Sequence, residues 1–124
     1  KEGGILKKDS DSSVKTARVV ANGDILIHDA LYYTAKKEDG SYDFNPFFEY
    51  VKPWIEGADL AIGDFEGTIS DRSPLGGYPL FNAPVQIADT MKDVGYDVVD
   101  LAHNHILDTG LYGLKYTDKV FKEV

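Results

Sequence analysis

Three short apolar segments alternate with helix-forming segments along this chain of 124 residues, and this alternation limits the fold more than any other feature. The segments are residues 17–27 (ARVVANGDILI), 59–65 (DLAIGDF) and 96–102 (YDVVDLA). Apolar, β-branched strands separated by helices are typical of a parallel sheet with helices packed on it. The sequence therefore predicts an α/β fold, a parallel β-α-β-α-β-α unit with right-handed crossovers and buried strands near 18–23, 59–63 and 97–102.

Proline and glycine mark the ends of the predicted helices. Asn45 followed by Pro46 is a helix-start signal, and apolar residues then recur at helical spacing up to Gly57. Pro53 lies inside this pattern and removes a backbone donor, so we expect a kink or a break into two short turns. The other predicted boundaries are Pro84 and Gly95 for the second helix, and Asp108 or Thr109 as the cap of the third.

Composition excludes several classes of function. The formal net charge is −8 and no stretch is a basic patch, which argues against a nucleic-acid partner. The chain contains no cysteine, which excludes a disulfide scaffold and a thiolate metal site. No apolar run approaches the roughly 18 residues of a membrane span. A nucleotide-binding domain is disfavoured because no glycine-rich phosphate-binding motif follows a predicted strand.

The organisation of the chain suggests one folded unit that other segments complete. Residues 1–16 are rich in Ser, Asp, Lys and Gly, and predict a flexible leader or linker before a domain over 17–124. The leader lacks the apolar core of a signal peptide, so we expect any targeting segment to lie outside this sequence. Three strands make a thin sheet, and we expect a partner chain or a C-terminal half to complete the core. The apolar faces expected to meet it bear Phe47, Phe48 and Trp54, or Leu114 and Phe121.

Polar side chains follow each predicted strand. The three clusters are Gly23-Asp24 with His28, Gly63-Asp64-Phe65-Glu66, and His103-Asn104-His105 with Asp108. In open parallel sheets the ligand crevice lies outside the carboxyl ends of the strands, so these loops are expected to converge. Carboxylate, amide and imidazole groups hold divalent cations such as Mn²⁺, Fe²⁺ or Zn²⁺. Such a cation can polarise a phosphoryl or carbonyl oxygen and activate water near neutral pH.

These motifs resemble the ordered signatures of a known family. The stretches VVANGDILIH, ADLAIGDFEGTIS, PLFNAP and GYDVVDLAHNHILDTGLYGL resemble those of the bacterial CapA, or poly-γ-glutamate capsule synthesis, family, from about residue 17 to residue 114. That family is similar in fold to the calcineurin-like metallophosphoesterases. The resemblance implies that the chain is the N-terminal portion of a larger four-layer α/β/β/α sandwich.

The resemblance also implies roles for individual residues. Asp24 matches the first-strand aspartate of the metallophosphoesterase pattern, and Asn104-His105 matches its Asn-His pair. Glu66 matches the glutamate of the second motif, with Asp64 as the alternative ligand there. The candidate metal ligands are therefore Asp24, Asp64, Glu66, Asn104 and His105. The candidate catalytic residues are His105 and His28, and His103 and Asp108 are expected to support the ligands.

One departure leaves the assignment open. Where the phosphoesterase pattern has a histidine two positions after the first aspartate, this chain has Leu26, and His28 is the nearby substitute. The later histidine motifs of a complete dinuclear site would lie beyond Val124. Each candidate also has a structural interpretation: Asp24 as a turn residue, Glu66 as a solvated carboxylate, and Asp108 as a helix cap.

Two functions remain in view. The first is a metal-dependent, phosphoesterase-like hydrolase that makes or processes an anionic capsule polymer, poly-γ-glutamate by the resemblance, or its precursor. The second is a non-catalytic accessory subunit of a membrane-bound polymer synthase that keeps the fold without a complete metal site. Both imply a location at the cell surface, on the extracellular face of the membrane. Fold alone does not decide between them.

Overall fold

The computed structural model describes residues 14–124, which contain three strands and five helices. The predicted leader lies outside the described residues apart from residues 14–16, which are exposed and without regular structure. The elements, in chain order, are β1 Val19–Asp24, α1 Asp29–Ala35, α2 Asn45–Phe48, α3 Lys52–Glu56, β2 Leu60–Asp64, α4 Gln86–Val94, β3 Val98–Asp100 and α5 Gly110–Glu123.

The three strands form one parallel sheet in the order β1-β2-β3, which confirms the predicted α/β fold and parallel pairing. Val19 is paired with Leu60, and Ile62 with Val98. Asn22 is paired with Gly63 and Asp24 with Asp64, so the register shifts at the end of β1. Because both crossovers run in the same direction across the sheet, right-handed connections place their helices on the same face.

The helix-covered face of the sheet carries small side chains. Ala61 is fully buried there in a cluster with Ile55 and Val94. Gly63 lies so close to the Tyr96 ring that a Cβ atom would fall 2.9 Å from it. These small residues let the helices approach the strands closely.

The opposite face of the sheet is exposed, which corrects the prediction of fully buried strands. Val19 is 55% exposed, Leu60 37% and Val98 45%, and their pairing puts all three on this face. Near-continuous apolar strands are typical of sheets covered on both faces, but the described helices cover only one. No described helix is long and apolar enough to cross a membrane.

The helix boundaries follow the proline and glycine pattern with one exception. The predicted break near Pro53 is present, because α2 and α3 are separate short helices. Gly95 ends α4 in the left-handed conformation, with φ of 107°. Helix α1 is not predicted by the sequence pattern, because its seven residues are fewer than the window in which helical periodicity can be recognised. Of the two predicted caps of α5, the structure has Thr109, and Asp108 makes a different contact.

A buried threonine ties α5 to the loop after β2. The Thr117 hydroxyl accepts a hydrogen bond from the Ile69 N–H at 2.8 Å and lies within donor distance of the carbonyls of Gly113 and Ile69. Thr117 is fully buried, so no water can replace these contacts. This contact holds the C-terminal helix against the segment that follows the candidate site.

Replacing Thr117 with valine is therefore expected to lower the free energy of unfolding by about 1–3 kcal/mol, because the buried Ile69 N–H loses its acceptor while the side-chain shape is kept. Urea denaturation of the two proteins measures the difference. The control is Thr34→Val on the exposed side of α1, for which we expect a change within about 0.5 kcal/mol. Equal losses of unfolding free energy in both variants would show that the Thr117 hydroxyl does not stabilise the fold through these hydrogen bonds.

Candidate metal site

One aspartate from each strand lies in the same row at the carboxyl edge of the sheet. Asp24 is paired with Asp64, and Asp64 with Asp100. Asp64 follows Leu60 and Ile62 at alternate positions, so the row lies on the exposed face of the sheet. The sequence patterns do not single out Asp100, although its place at the end of β3 matches that of the other two aspartates.

Three carboxylates come together at this edge. Ligand atoms of Asp24, Asp64 and Glu66 all lie within 4.8 Å of one another. Backbone hydrogen bonds fix the two loops, from Ile25 N–H to the Asp64 carbonyl at 2.7 Å and from Glu66 N–H to the Ile25 carbonyl at 3.2 Å. Phe65, which lies between Asp64 at the end of β2 and Glu66 in the following loop, is fully buried and anchors both residues. The structure thus brings together three of the five candidate ligands.

The Asp64 side chain has an unsatisfied buried oxygen. Its Oδ1 atom is buried and has no hydrogen-bond partner within residues 14–124. A buried acceptor without a partner costs roughly 1–3 kcal/mol, and more when it is charged. An orphaned oxygen on a carboxylate that lies beside two further carboxylates is chemically suited to a cation.

Crowding raises the pKa of two of these carboxyl groups. Burial raises the pKa of Asp64; the His103 ring opposes this, and the charges of Asp100 and Asp24 add to it. A hydrogen bond with Asp24 raises the pKa of Glu66, as do burial and the Asp24 charge. Both shifts favour the protonated forms of Asp64 and Glu66 when no cation is present. His105 opposes the rise for Glu66, which places its imidazole beside the cluster.

A carboxylate orients the His105 imidazole. Nδ1 of His105 lies 2.7 Å from Oδ2 of Asp108, and the two side chains are 17% and 10% exposed. The same Oδ2 accepts the Phe81 N–H at 2.7 Å. A carboxylate on Nδ1 directs Nε2 toward any ligand or substrate. Asp108 is thus a partner of His105, and its interpretation as a helix cap is wrong.

Phe81 lies against both candidate catalytic histidines. Its ring meets His28 edge-on at 4.9 Å between centroids and His105 at 4.7 Å. Phe81 is 2% exposed, so it is a fixed surface for both imidazoles. The sequence patterns do not assign it to the site, although it belongs to the quoted PLFNAP motif. His28 is exposed and precedes α1, and no imidazole joins the three carboxylates within 4.8 Å among the described residues.

The remaining candidates lie around the cluster. Asn104 is exposed in the loop after β3, and its side chain makes no hydrogen bond within the described part of the chain. His103 is half-buried, and its two ring nitrogens face the backbone N–H groups of Gly67 and His105. Leu26, where the phosphoesterase pattern has histidine, lines an apolar groove beside Asp24.

Known proteins are similar to this chain over most of its length. The model of the family "Bacterial capsule synthesis protein PGA_cap" matches residues 18–124. The capsule biosynthesis protein CapA of Bacillus anthracis is 29% identical over 87 residues, which cover 66% of this chain and 21% of that protein. The uncharacterized protein y4uA of Sinorhizobium fredii is 25% identical over 112 residues, covering 85% of this chain and 22% of that protein.

A second protein of Sinorhizobium fredii, y4sH, is 24% identical over 112 residues, with the same coverage of 85% and 22%. The chain therefore spans about a fifth of the length of the curated relatives it matches. The family model covers nearly the whole described chain, including every motif at the carboxyl edge of the sheet. The chain belongs to the bacterial capsule synthesis protein family.

Proposed function

We propose that this chain forms the acidic half of a divalent-metal site with which a capsule-biosynthesis protein hydrolyses a phosphoester-like bond. The observation that carries the proposal is the carboxylate cluster with its buried, unpartnered Asp64 oxygen. Membership of the capsule synthesis family supports the biological setting. The chemistry of the bond rests on the resemblance to metallophosphoesterases.

The donor atoms of the cluster fit a divalent cation. Asp24, Asp64 and Glu66 supply carboxylate oxygens, which suit Mn²⁺, Fe²⁺ or Zn²⁺. A cation there would neutralise the repulsion that raises the pKa of Asp64 and Glu66, and would give the Asp64 oxygen a partner. When bound, such a cation supplies Lewis-acid polarisation of the scissile group and lowers the pKa of water.

The protein's own residues then have distinct tasks. Asp108 fixes the tautomer of His105 by accepting a hydrogen bond from Nδ1, which leaves Nε2 to exchange a proton with substrate. Phe81 limits the motion of that ring from one side. Asn104, exposed in the same loop, is free to rotate its amide toward a bound anion or cation. His28, on the other edge of Phe81, is the second candidate for proton transfer.

The exposed sheet face supports the larger sandwich. Val19, Leu60 and Val98 lie on the face whose carboxyl end carries the carboxylate cluster. Parallel sheets are stable when both faces are covered, so a second layer belongs on this face. A second sheet there, as in the four-layer α/β/β/α fold, would end beside the cluster. It could supply an imidazole ligand in place of the histidine that Leu26 replaces.

Membership of the family supports extending the proposal to the polymer and the location. A relative named as a capsule biosynthesis protein supports an anionic capsule polymer, poly-γ-glutamate or its precursor, as the material on which the whole protein acts. Membrane-bound synthase subunits are the partners, and the extracellular face of the membrane is the location that this role requires. Both belong to the proposal.

An accessory role is the alternative, and Leu26 favours it. That residue is half-buried in an apolar groove and cannot bind a cation, although the phosphoesterase pattern has a ligand in its place. A protein that binds the synthase but not a metal would keep the same sheet and helices. The hydrolase would show metal-dependent turnover, and the accessory subunit would not.

The test is turnover of a chromogenic phosphomonoester and a phosphodiester by the intact protein with Mn²⁺, Fe²⁺ or Zn²⁺. We expect Asp108→Ala to lower kcat by about ten- to a hundredfold at nearly unchanged metal affinity, because His105 loses its orienting partner. The control is Asp118→Ala, whose carboxylate pairs with Lys122 on the surface of α5 and should leave kcat unchanged. A wild-type protein that binds metal but turns over neither ester would favour the accessory role.

A further inference from the structure

The His103 ring lies between two loops of the candidate site. Its Nε2 atom faces the Gly67 N–H at an N–N distance of 3.3 Å, and its Nδ1 atom faces the His105 N–H at 3.1 Å. Gly67 directly follows the candidate ligand Glu66, and His105 is the candidate catalytic residue. One side chain therefore contacts the backbone of both loops.

The two contacts compete for a single acceptor. A neutral imidazole has one nitrogen that accepts a hydrogen bond and one that carries a proton. Both ring nitrogens of His103 face backbone N–H donors, and only the neutral ring has an acceptor to offer them. Only one of the two N–H groups can therefore donate fully to His103 at any moment, and the choice is set by the tautomer.

Each contact controls a different functional group. Gly67 is buried between Glu66 and Thr68, so a shift of its N–H moves the Glu66 carboxylate relative to Asp24 and Asp64. The His105 N–H belongs to the residue whose ring is bound to Asp108, so a shift there moves Nε2 of His105. A hydrophobic residue of the same size would fill the space but contact neither N–H.

We infer that His103 is a positioning residue that couples the Glu66 carboxylate to the His105 imidazole through two mutually exclusive hydrogen bonds, to the backbone of Gly67 and of His105. Strengthening one hydrogen bond weakens the other, so the positions of the Glu66 carboxylate and the His105 imidazole change together. The hydrogen-bond exchange stands on the geometry alone. Its consequence for metal binding and turnover rests on the proposed function.

Three substitutions separate the two contacts. In His103→Asn the amide oxygen can take the place of Nδ1 and keep the bond to His105 N–H, while the bond to Gly67 is lost. In His103→Gln the amide oxygen can reach the place of Nε2 and keep the bond to Gly67, while the bond to His105 is lost. His103→Leu removes both bonds and keeps the bulk.

Hydrogen exchange measured by mass spectrometry on the metal-free intact protein reads both bonds directly. We expect His103→Asn to exchange about three- to tenfold faster at Gly67 and more slowly at His105 than the wild type, and His103→Gln to show the reverse. His103→Leu should exchange faster at both. A packing role alone predicts equal changes in the Asn and Gln variants, and that result, or no change in any variant, would overturn the inference.

Titration of the same proteins with Mn²⁺ then tests the consequence for the site. We expect His103→Asn to weaken Mn²⁺ binding by about tenfold, because the Glu66 arm is released, and His103→Gln to bind as tightly as the wild type or more so. Equal weakening in both variants would overturn the coupling. If the wild type itself binds no Mn²⁺, the proposed metal site fails, and the reciprocal exchange pattern still decides the role of His103.

Discussion

Replacing Asp64 with asparagine is expected to weaken divalent-metal binding by about a hundredfold or more while making the metal-free protein more stable at neutral pH. Both effects have one cause. The Oδ1 atom of Asp64 is buried without a partner among the described residues, and ligand atoms of Asp24 and Glu66 lie within 4.8 Å of a ligand atom of Asp64. The negative charge of Asp64 destabilises the metal-free fold, and the same charge is needed to bind a cation. Asparagine keeps the shape and removes the charge.

The pH dependence of the metal-free protein follows from the raised pKa of Asp64. Burial raises this pKa above the ordinary value of 3.8. A carboxyl group whose pKa is higher in the folded state stabilises the fold when it is protonated. This stabilisation is complete below the ordinary pKa and is lost as the pH rises through the folded-state pKa. Thermal melts of the metal-free wild type should therefore lose stability on the basic side of that value, and Asp64→Asn should lose less.

Isothermal titration with Mn²⁺ and Zn²⁺ after chelator treatment measures the affinity, and melting curves at several pH values measure the stability. Asp89→Asn is the matched control, since Asp89 is exposed on α4 and outside the carboxylate cluster. It should change neither property appreciably. Retained metal affinity in Asp64→Asn would show that the cluster is not the metal site. A metal-free Asp64→Asn protein that is less stable than the wild type would show that the crowded Asp64 carboxylate does not destabilise the fold.

The parallel sheet could be predicted from the sequence because its strands are short, β-branched and separated by helix signals such as Asn45-Pro46. The exposure of one face of the sheet could not be predicted from the sequence. Val19, Leu60 and Val98 are apolar like the residues of the covered face, and only the order β1-β2-β3 reveals that all crossovers lie on the other side. The local sequence pattern indicates which residues favour burial, but it does not show which helix or sheet packs against them.

The site could be predicted in outline because carboxyl ends of parallel strands meet at one edge, where Asp24, Asp64 and Glu66 now lie together. The contacts that give these residues their properties are not visible in the sequence. Asp108 has the position of a helix cap, and it becomes the partner of His105 only through the course of the loop. Phe81 reaches the site because a long loop after β2 returns to it.

Truncating Phe65 is expected to have the largest effect on the fold. Its side chain is fully buried between Asp64 and Glu66, and its ring meets Phe121 of α5 edge-on at 5.1 Å between centroids. Its N–H donates to the Asp100 carbonyl at 3.0 Å, so the same residue links the ends of β2 and β3. We expect Phe65→Ala to lower the free energy of unfolding by about 3–5 kcal/mol. Phe47→Ala, where the ring is 45% exposed, is the matched control with an expected loss of about 1 kcal/mol or less.

Metal linkage distinguishes a purely structural role for Phe65 from one in holding the site. A cation at about a hundred times its dissociation constant should stabilise the wild type by about 2.7 kcal/mol, because it binds only the folded state. Phe65→Ala should lose most of this increment along with its core contacts, since the two flanking carboxylates are no longer held at the same separation. Phe65→Leu, which keeps more of the core volume, should recover most of the increment and guards against an alanine variant that does not fold. Guanidinium denaturation of the three proteins with and without Mn²⁺ gives all six free energies of unfolding. An undiminished metal increment in a folded Phe65→Ala protein would show that the carboxylates do not depend on this ring for their position.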